Sequence, residues 1–249
     1  MNYQELANEL NRALALSLPP IAVAFCDAVP AGVAPFDGAA PAGCAFWEKA
    51  AARAFSTSAK DHGLCAIGMH THNLPHTAAS ESELQDALQA MAGLDYVRAE
   101  EVAAIPVAPR RAQYVVYGPL ADFPAAPEVA LLFADARQGL VITEAAARVD
   151  RGAPPALGRP ACAVIPQVLT QGVAAQSLGC CGARAYIDAL SDGVALWAFP
   201  AAKLEDYCKE IKTLASANKT LSAFHERRRE DVESGKRPTV RESLARLSS

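Results

Sequence analysis

Apolar residues near the start of the chain recur every three or four positions, which is the spacing of one face of an α-helix. The residues on this face are Leu6, Leu10, Ala13, Leu14 and Leu16. The pattern predicts an amphipathic helix over residues 3–17. Pro19 and Pro20 follow it, and proline stops a helix because it lacks the N–H group that the next turn needs.

Short apolar runs between turn residues are typical of buried strands. Such runs predict strands at residues 21–25, 112–120, 128–135, 161–165 and 193–200. Helix-forming composition or helical spacing predicts helices at residues 45–55, 136–149, 167–178, 204–217 and 220–235. Ser80 and Glu83 form a capping-box pattern, which predicts one more helix that ends near Met91.

Strands and helices are mixed along the whole sequence. This mixture predicts an α/β or α+β fold in which helices cover a mixed sheet. We interpret residues 1–249 as a single domain whose two related halves, 15–100 and 155–215, form one compact unit. The segment 151–160 is rich in proline and glycine and is interpreted as a linker, and residues 236–249 are expected to be a loosely docked tail.

The two halves carry cysteines in a similar pattern. Each pattern opens with Cys-Ala, at Cys44 and at Cys162. Each closes with a glycine two residues before a second cysteine, and these pairs are Gly63 with Cys65 and Gly179 with Cys181. If the halves pack face to face, four thiols converge on one point. The pattern therefore predicts a metal or iron–sulfur site, with four buried core thiols as the alternative.

Cys180 and Cys181 are adjacent, and neighbouring side chains point apart, so only one of the two is expected to be a ligand. The internal alignment favours Cys181, a shift of one residue favours Cys180, and the spacing does not decide between them. A [4Fe–4S] cluster is the first candidate cofactor, with zinc or haem as alternatives. Glycines beside the cysteines are expected to let the backbone approach the cofactor, and these are Gly63, Gly68, Gly179 and Gly182.

Residues 56–79 hold four of the five histidines and are interpreted as a functional loop because glycine and proline interrupt them. In an extended segment His70 and His72 would lie on one face. They are predicted to be proton donors or additional metal ligands. The alternative is an exposed polar loop.

Arg184 follows the second cysteine pair closely and is predicted to orient an anionic group of a substrate. The alternative is a surface ion pair. Cys181, in a glycine-flanked turn, also fits a cysteine nucleophile of lowered pKa, with His70 or His72 as its base.

The charge and composition of the chain argue against two classes of partner, nucleic acids and membranes. The chain has 23 basic and 27 acidic residues, without the clustered basic surface that nucleic acids require. No apolar run approaches the roughly 20 residues that cross a bilayer, so we expect no membrane partner and a cytoplasmic location. In that reducing compartment the seven cysteines are expected to be thiols and not disulfides.

The sequence lacks nucleotide-binding glycine motifs, a serine-hydrolase elbow and the HExxH metalloprotease motif.

Several short segments together carry a resemblance to a known family. They are PPIAVAF (19–25), GCA (43–45), CAIG (65–68), YGPL (117–120), Cys162, SLGCCGAR (177–184) and AFP (198–200). In this order they resemble DUF169, a bacterial and archaeal family of unknown function, over most of the chain. The resemblance implies a soluble protein that carries a metal or a cofactor. The histidine-rich segment 69–76 is not part of it.

These patterns predict an oxidoreductase, lyase or hydrolase that acts on a small molecule at a cysteine-ligated site between the two halves. A cluster held by three cysteines would leave one iron open to the substrate. If the reaction is reductive, an electron donor is an expected partner. The sequence does not decide whether the protein is a homo-oligomer. One alternative is a haem or metal carrier or sensor without turnover, and another is a cofactor-free cysteine enzyme.

Overall fold

The computed structural model describes residues 2–157 and 159–246. Its strands are β1 (Ile21–Cys26), β2 (Phe55–Ser58), β3 (Tyr114–Pro119), β4 (Val129–Asp135), β5 (Ala156–Leu157), β6 (Ala175–Ser177) and β7 (Val194–Pro200). They form one seven-stranded mixed sheet in the order β2-β3-β1-β4-β7-β6-β5. Only β5 and β6 pair in parallel within the described sheet.

Ten α-helices occur in the described residues. They are α1 (Tyr3–Leu14), α2 (Ala45–Ala50), α3 (Ala66–Thr71), α4 (Ala78–Gly93), α5 (Ala99–Ala103), α6 (Ala136–Asp150), α7 (Val164–Gln171), α8 (Cys181–Tyr186), α9 (Leu204–Glu233) and α10 (Val240–Ala245). Short 3₁₀ helices lie at Leu120–Asp122, Ala161–Ala163 and Ala201–Lys203. None of the described helices combines the length and the apolar character needed to cross a bilayer.

The central strands bury both of their faces, so their apolar residues run without interruption. In β4, Leu131 and Phe133 point to one face of the sheet, and Leu132 points to the other. The first face is covered by α2, α3, α7 and α8, and the second by α1, α6 and α9. This arrangement confirms the predicted mixed sheet covered by helices.

The strand order is internally symmetric. Strands β1 and β4 pair antiparallel at the centre of the sheet. The order β2-β3-β1 on one side corresponds to β6-β7-β4 on the other, and β5 is an additional strand at the outer edge of the second side. Strands β3 and β4 lie outside the predicted halves 15–100 and 155–215, and strand pairing divides the chain between β3 and β4.

Several local predictions are wrong. The helices predicted over residues 45–55 and 167–178 end early, at Ala50 and Gln171, and strands β2 and β6 begin inside the predicted ranges. Residues 161–165, predicted as a strand, form a 3₁₀ turn and the start of α7, because a short apolar run suits a buried helix as well as a strand. Residues 56–79, predicted as a loop, contain most of β2 and all of α3. Helix α4 begins after Thr77, whose side chain and that of Ser80 cap each other's backbone N–H groups, three residues before the predicted cap.

Residues 204–217 and 220–235, predicted as two helices, are largely the single helix α9. Helix α10, within the segment predicted to be a loosely docked tail, is tied to α9 by ion pairs and hydrogen bonds. Asp231 accepts from Lys236 Nζ and Arg246 Nη1, both at 3.0 Å. Arg228 donates to Ser243 Oγ at 3.2 Å. Residues 247–249 of that segment lie outside the described residues.

Candidate functional site

A cavity of about 520 Å³ lies on the sheet face that α2, α3, α7 and α8 cover. Five of the seven cysteines line it, and they are Cys44, Cys65, Cys162, Cys180 and Cys181. Residues from α4 and α5 and from the segment between them cover the thiols. Much of the remaining wall is apolar, including Met91, Val97 and Ile105. The two cysteine segments therefore meet at one place, although they are far apart in sequence.

Three of these cysteines occupy the same local position. Cys44, Cys65 and Cys180 are the N-cap residues of α2, α3 and α8. The Cys65 Sγ accepts a hydrogen bond from the Gly68 N–H at 3.3 Å, which satisfies one of the donors left without a helical partner. Cys162 instead lies in the 3₁₀ turn that leads into α7. By this local geometry Cys180, and not Cys181, is the structural counterpart of Cys65.

The buried thiols are neutral at physiological pH. Burial raises the pKa of Cys44 to about 12, and the nearby Cys65 and Cys180 thiols act in the same direction. Burial also raises the pKa of Cys162 well above its usual range, with a further contribution from the same two neighbours. Cys181 is exposed and is not among the main causes of either shift in pKa. Cys44, Cys65, Cys162 and Cys180 therefore form one electrostatically coupled group of thiols.

These thiols are not gathered around a single point. Within residues 2–157 and 159–246, no three His, Cys, Asp or Glu side chains are grouped closely enough to hold a metal ion. The thiols share the wall of one cavity instead.

The histidines do not line the cavity in the part of the chain that the structure describes. His70 and His72 lie in or directly after a helical turn and not in an extended segment, so the two rings have different surroundings. The His70 ring faces that of His76, with centroids 6.3 Å apart. His72 is fully buried, and its ring centroid lies 5.5 Å from that of His62. The prediction that one face presents both His70 and His72 is therefore wrong.

His72 belongs to a buried hydrogen-bonded network. Its Nδ1 lies 2.8 Å from the Gly68 carbonyl oxygen, so Nδ1 carries the proton. Its Nε2 then accepts from the Tyr117 hydroxyl at 3.3 Å. Burial lowers the pKa of His72 to about 4. The ring is thus a neutral structural group under ordinary conditions.

Thr71 connects this network to the cavity. Its hydroxyl donates to the Gly68 carbonyl at 3.0 Å and lies 3.2 Å from the Cys162 Sγ. Because the hydroxyl has a single proton and donates it to Gly68, its oxygen can accept a hydrogen bond from the Cys162 thiol. Thr71 and Tyr117 were missed in the sequence. The sequence indicated them only by position, because Thr71 lies in the histidine-rich segment and Tyr117 is the first residue of the YGPL motif.

The side chain of Arg184 is hydrogen-bonded to backbone carbonyl groups, and Arg184 does not line the cavity. Its guanidinium donates to the carbonyl oxygens of Leu178, Leu190, Ser191 and Val194. These bonds hold the turn around Cys180 in place. The contacts of Arg184 therefore give it a structural role and do not support the predicted role in orienting a substrate.

A different arginine lies in the cavity wall. The guanidinium carbon of Arg159 is 4.5 Å from the centroid of the Tyr96 ring. Its Nη2 is 3.4 Å from both carboxylate oxygens of Glu101. The Cys181 thiol is the main cause of a raised pKa of the Tyr96 hydroxyl. The sequence interpretation assigned Arg159 to a linker, and only its position three residues before Cys162 could have drawn attention to it.

Of the four glycines predicted to approach a cofactor, Gly182 lines the cavity and Gly68 lies directly behind Cys65. A Cβ at Gly68 would lie 2.8 Å from the Cys65 Sγ. Gly179 has a φ of +85° in the turn before Cys180, where glycine is the favoured residue. A Cβ at Gly63 would lie 3.0 Å from the Lys60 carbonyl oxygen.

Alanine substitutions at the two helical glycines are expected to have opposite effects. Gly68→Ala should lower the free energy of unfolding by about 1–2 kcal/mol, because the new Cβ displaces the Cys65 thiol. Gly182→Ala should raise it by about 0.5–1 kcal/mol, because its Cβ meets only an ordinary contact and alanine favours the helix. Urea unfolding of both variants checks this, and stabilisation by Gly68→Ala would contradict the close packing behind Cys65.

Comparison with known proteins identifies a family but no characterised relative. The profile of the DUF169 family, described as uncharacterised ArCR, matches residues 9–210. No significant match was found among curated proteins or among solved structures. The matched range includes all five cavity cysteines and the whole sheet. The chain belongs to the DUF169 family.

Proposed function

We propose that this protein binds a [4Fe–4S] cluster in the cavity and is an oxidoreductase that acts on a small molecule there. The proposed ligands are Cys44, Cys65, Cys162 and Cys180. The proposal rests on the observation that thiols from both halves of the chain line a single cavity. With all four cysteines as ligands the cluster would supply electrons. A lyase reaction is the closest variant, and it would require three of these cysteines as ligands and one iron left open as a Lewis acid.

The distribution of the thiols favours a cluster over one ion. A tetrahedral zinc ion requires all its sulfur ligands about 2.3 Å from one point. In a [4Fe–4S] cluster each thiolate binds a different iron, so the four sulfur atoms lie farther apart. Thiols that line one cavity, with no three described side chains close enough to share a single ion, are more compatible with the second arrangement.

Burial raises the pKa of Cys44 and of Cys162, so neither thiol ionises on its own at neutral pH. A thiol with such a pKa does not ionise unless a positive charge comes close, and metal binding supplies that charge. The same values argue against either residue as a cysteine nucleophile, which needs a lowered pKa. Zinc is the alternative occupant. Haem would have to be held by cysteine, methionine or tyrosine side chains, because no histidine of the described chain lines the cavity.

The chain itself would supply two things to the reaction. The apolar wall around Met91, Val97 and Ile105 would exclude water from the reacting group. Arg184 would keep the Cys180 turn in position through its four carbonyl contacts. Free thiols of this kind require a reducing compartment, for which we propose the cytoplasm, and reductive turnover would require an electron donor.

Anaerobic purification with iron, sulfide and zinc analysis tests the proposal. We expect about four irons and four sulfides per chain, as the cluster formula requires. The protein should be brown, with broad absorption at the blue edge of the visible spectrum that fades on reduction. A colourless protein that contains zinc would support the zinc alternative. A protein without metal, even after reconstitution with iron and sulfide, would refute the proposal.

A further inference from the structure

Among residues 2–157 and 159–246, the side chains that line the cavity include one basic group, Arg159, and one carboxylate, Glu101. Every other lining residue is apolar, a thiol or an uncharged tyrosine. A ligand that enters this cavity therefore meets a single cation beside a largely apolar surface. This combination selects for an apolar molecule with one anionic group.

The contact between Arg159 and Glu101 is easily replaced. Both of its N···O distances are 3.4 Å, and the side chains are 41% and 48% exposed. An exposed ion pair of this kind contributes little to stability. Only Nη2 is used, and Nη1 and Nε of Arg159 have no hydrogen-bond partner among the described residues. The guanidinium can thus bind a carboxylate through two parallel hydrogen bonds, which its present contact does not provide.

Each member of the pair is held in place without the other. Tyr96 stacks against the guanidinium of Arg159 and limits its orientation. Glu101 Oε2 accepts a hydrogen bond from the Arg98 N–H at 2.8 Å at the start of α5. Glu101 therefore keeps a partner when another carboxylate takes its place on Arg159.

We propose that Arg159 is the anion-binding residue of the cavity and binds the carboxylate of a small apolar monocarboxylic acid in exchange for Glu101. The apolar part of this ligand lies against Met91, Val97 and Ile105. A carboxylate is favoured over a phosphate, because the single arginine and the nearby Glu101 disfavour a dianion. The assignment deepens the proposed function by naming a substrate class, and it does not depend on which metal is present.

Binding of hexanoate and hexanamide to the purified protein tests this assignment, since the two probes share a chain and differ in charge. We expect hexanoate to bind at least about tenfold more tightly than hexanamide in calorimetric titration. Arg159→Gln should lose this preference. Glu101→Gln should tighten hexanoate binding by about threefold or more, because it removes the competing carboxylate. Arg159→Lys should keep part of the preference, because it keeps the charge but not the two-bond geometry.

Equal binding of the two probes, no binding of either, or unchanged hexanoate binding by Arg159→Gln would overturn the assignment. Both substituted side chains are partly exposed and their ion pair contributes little to stability, so the variants are expected to fold, and circular dichroism checks this. Iron and sulfide analysis of the same samples separates the two proposals. If the protein holds its cluster but shows no preference for hexanoate, only the anion site is wrong. If the preference is present without any metal, only the cluster is wrong.

Discussion

Replacing Cys44, Cys65, Cys162 or Cys180 by alanine is expected to lower the iron bound per chain by about tenfold or more. Loss of a residue that only supports a metal ligand already lowers metal affinity by about 10–100-fold, and loss of a ligand should cost at least as much. Each variant is purified anaerobically, and its iron and sulfide contents are compared with those of the unsubstituted protein.

Two other cysteines provide matched controls. Cys208 is buried, like Cys44 and Cys162, but it packs on the opposite face of the sheet. Cys208→Ala should therefore retain the iron. Cys181→Ala should retain it as well, since Cys181 is exposed and lies beside Tyr96. Full iron content in Cys44→Ala would count against the ligand set, and loss of iron in Cys181→Ala but not in Cys180→Ala would move the fourth ligand to Cys181.

The free energy of unfolding is expected to fall by about 2 kcal/mol between pH 7 and pH 5 through His72 alone. Burial lowers the pKa of His72 to about 4 in the folded protein, against 6.5 in the unfolded chain. The unfolded chain therefore binds more protons in this range. The stability is fully present above pH 6.5 and is lost as the pH falls towards 4. His62 acts in the same direction, because burial also lowers its pKa.

Urea unfolding of the metal-free protein at pH 5, 6 and 7 measures this dependence. His72→Gln should flatten the pH profile, because the substituted residue no longer titrates. His225→Gln is the control, since His225 is exposed on α9 and its replacement should leave the profile unchanged. If His72→Gln and the unsubstituted protein had the same slope, His72 would not be the buried neutral ring that the structure describes.

The pattern of apolar residues was sufficient to predict the central strands and the main helices. Strands such as β4 are unbroken apolar runs because both of their faces are buried, and α1 shows the spacing of a helix with one buried face. The short elements were less predictable. Residues 161–165 are apolar in a strand or in a helix, and only packing against the sheet decides which forms.

The cysteine pattern likewise predicted which segments meet, but not how each side chain is used. The spacing of the cysteines in the sequence does not decide whether Cys180 or Cys181 joins the other thiols. The start of α8 separates them, because Cys180 lies at its N-cap among the other thiols and Cys181 turns towards Tyr96. In the same way, the helical turn of α3 moved His70 and His72 into different surroundings.

The two arginines show the limit of sequence reasoning most clearly. Arg184 is close to the cysteines in sequence, but the turn that follows surrounds its guanidinium with carbonyl oxygens. Arg159, in a segment interpreted as a linker, reaches the cavity wall beside Glu101. Composition and periodicity specify which segments are buried, because burial depends on the local pattern of side chains. The partners of a charged group depend on chain segments that are distant in sequence, and only the tertiary structure brings those together.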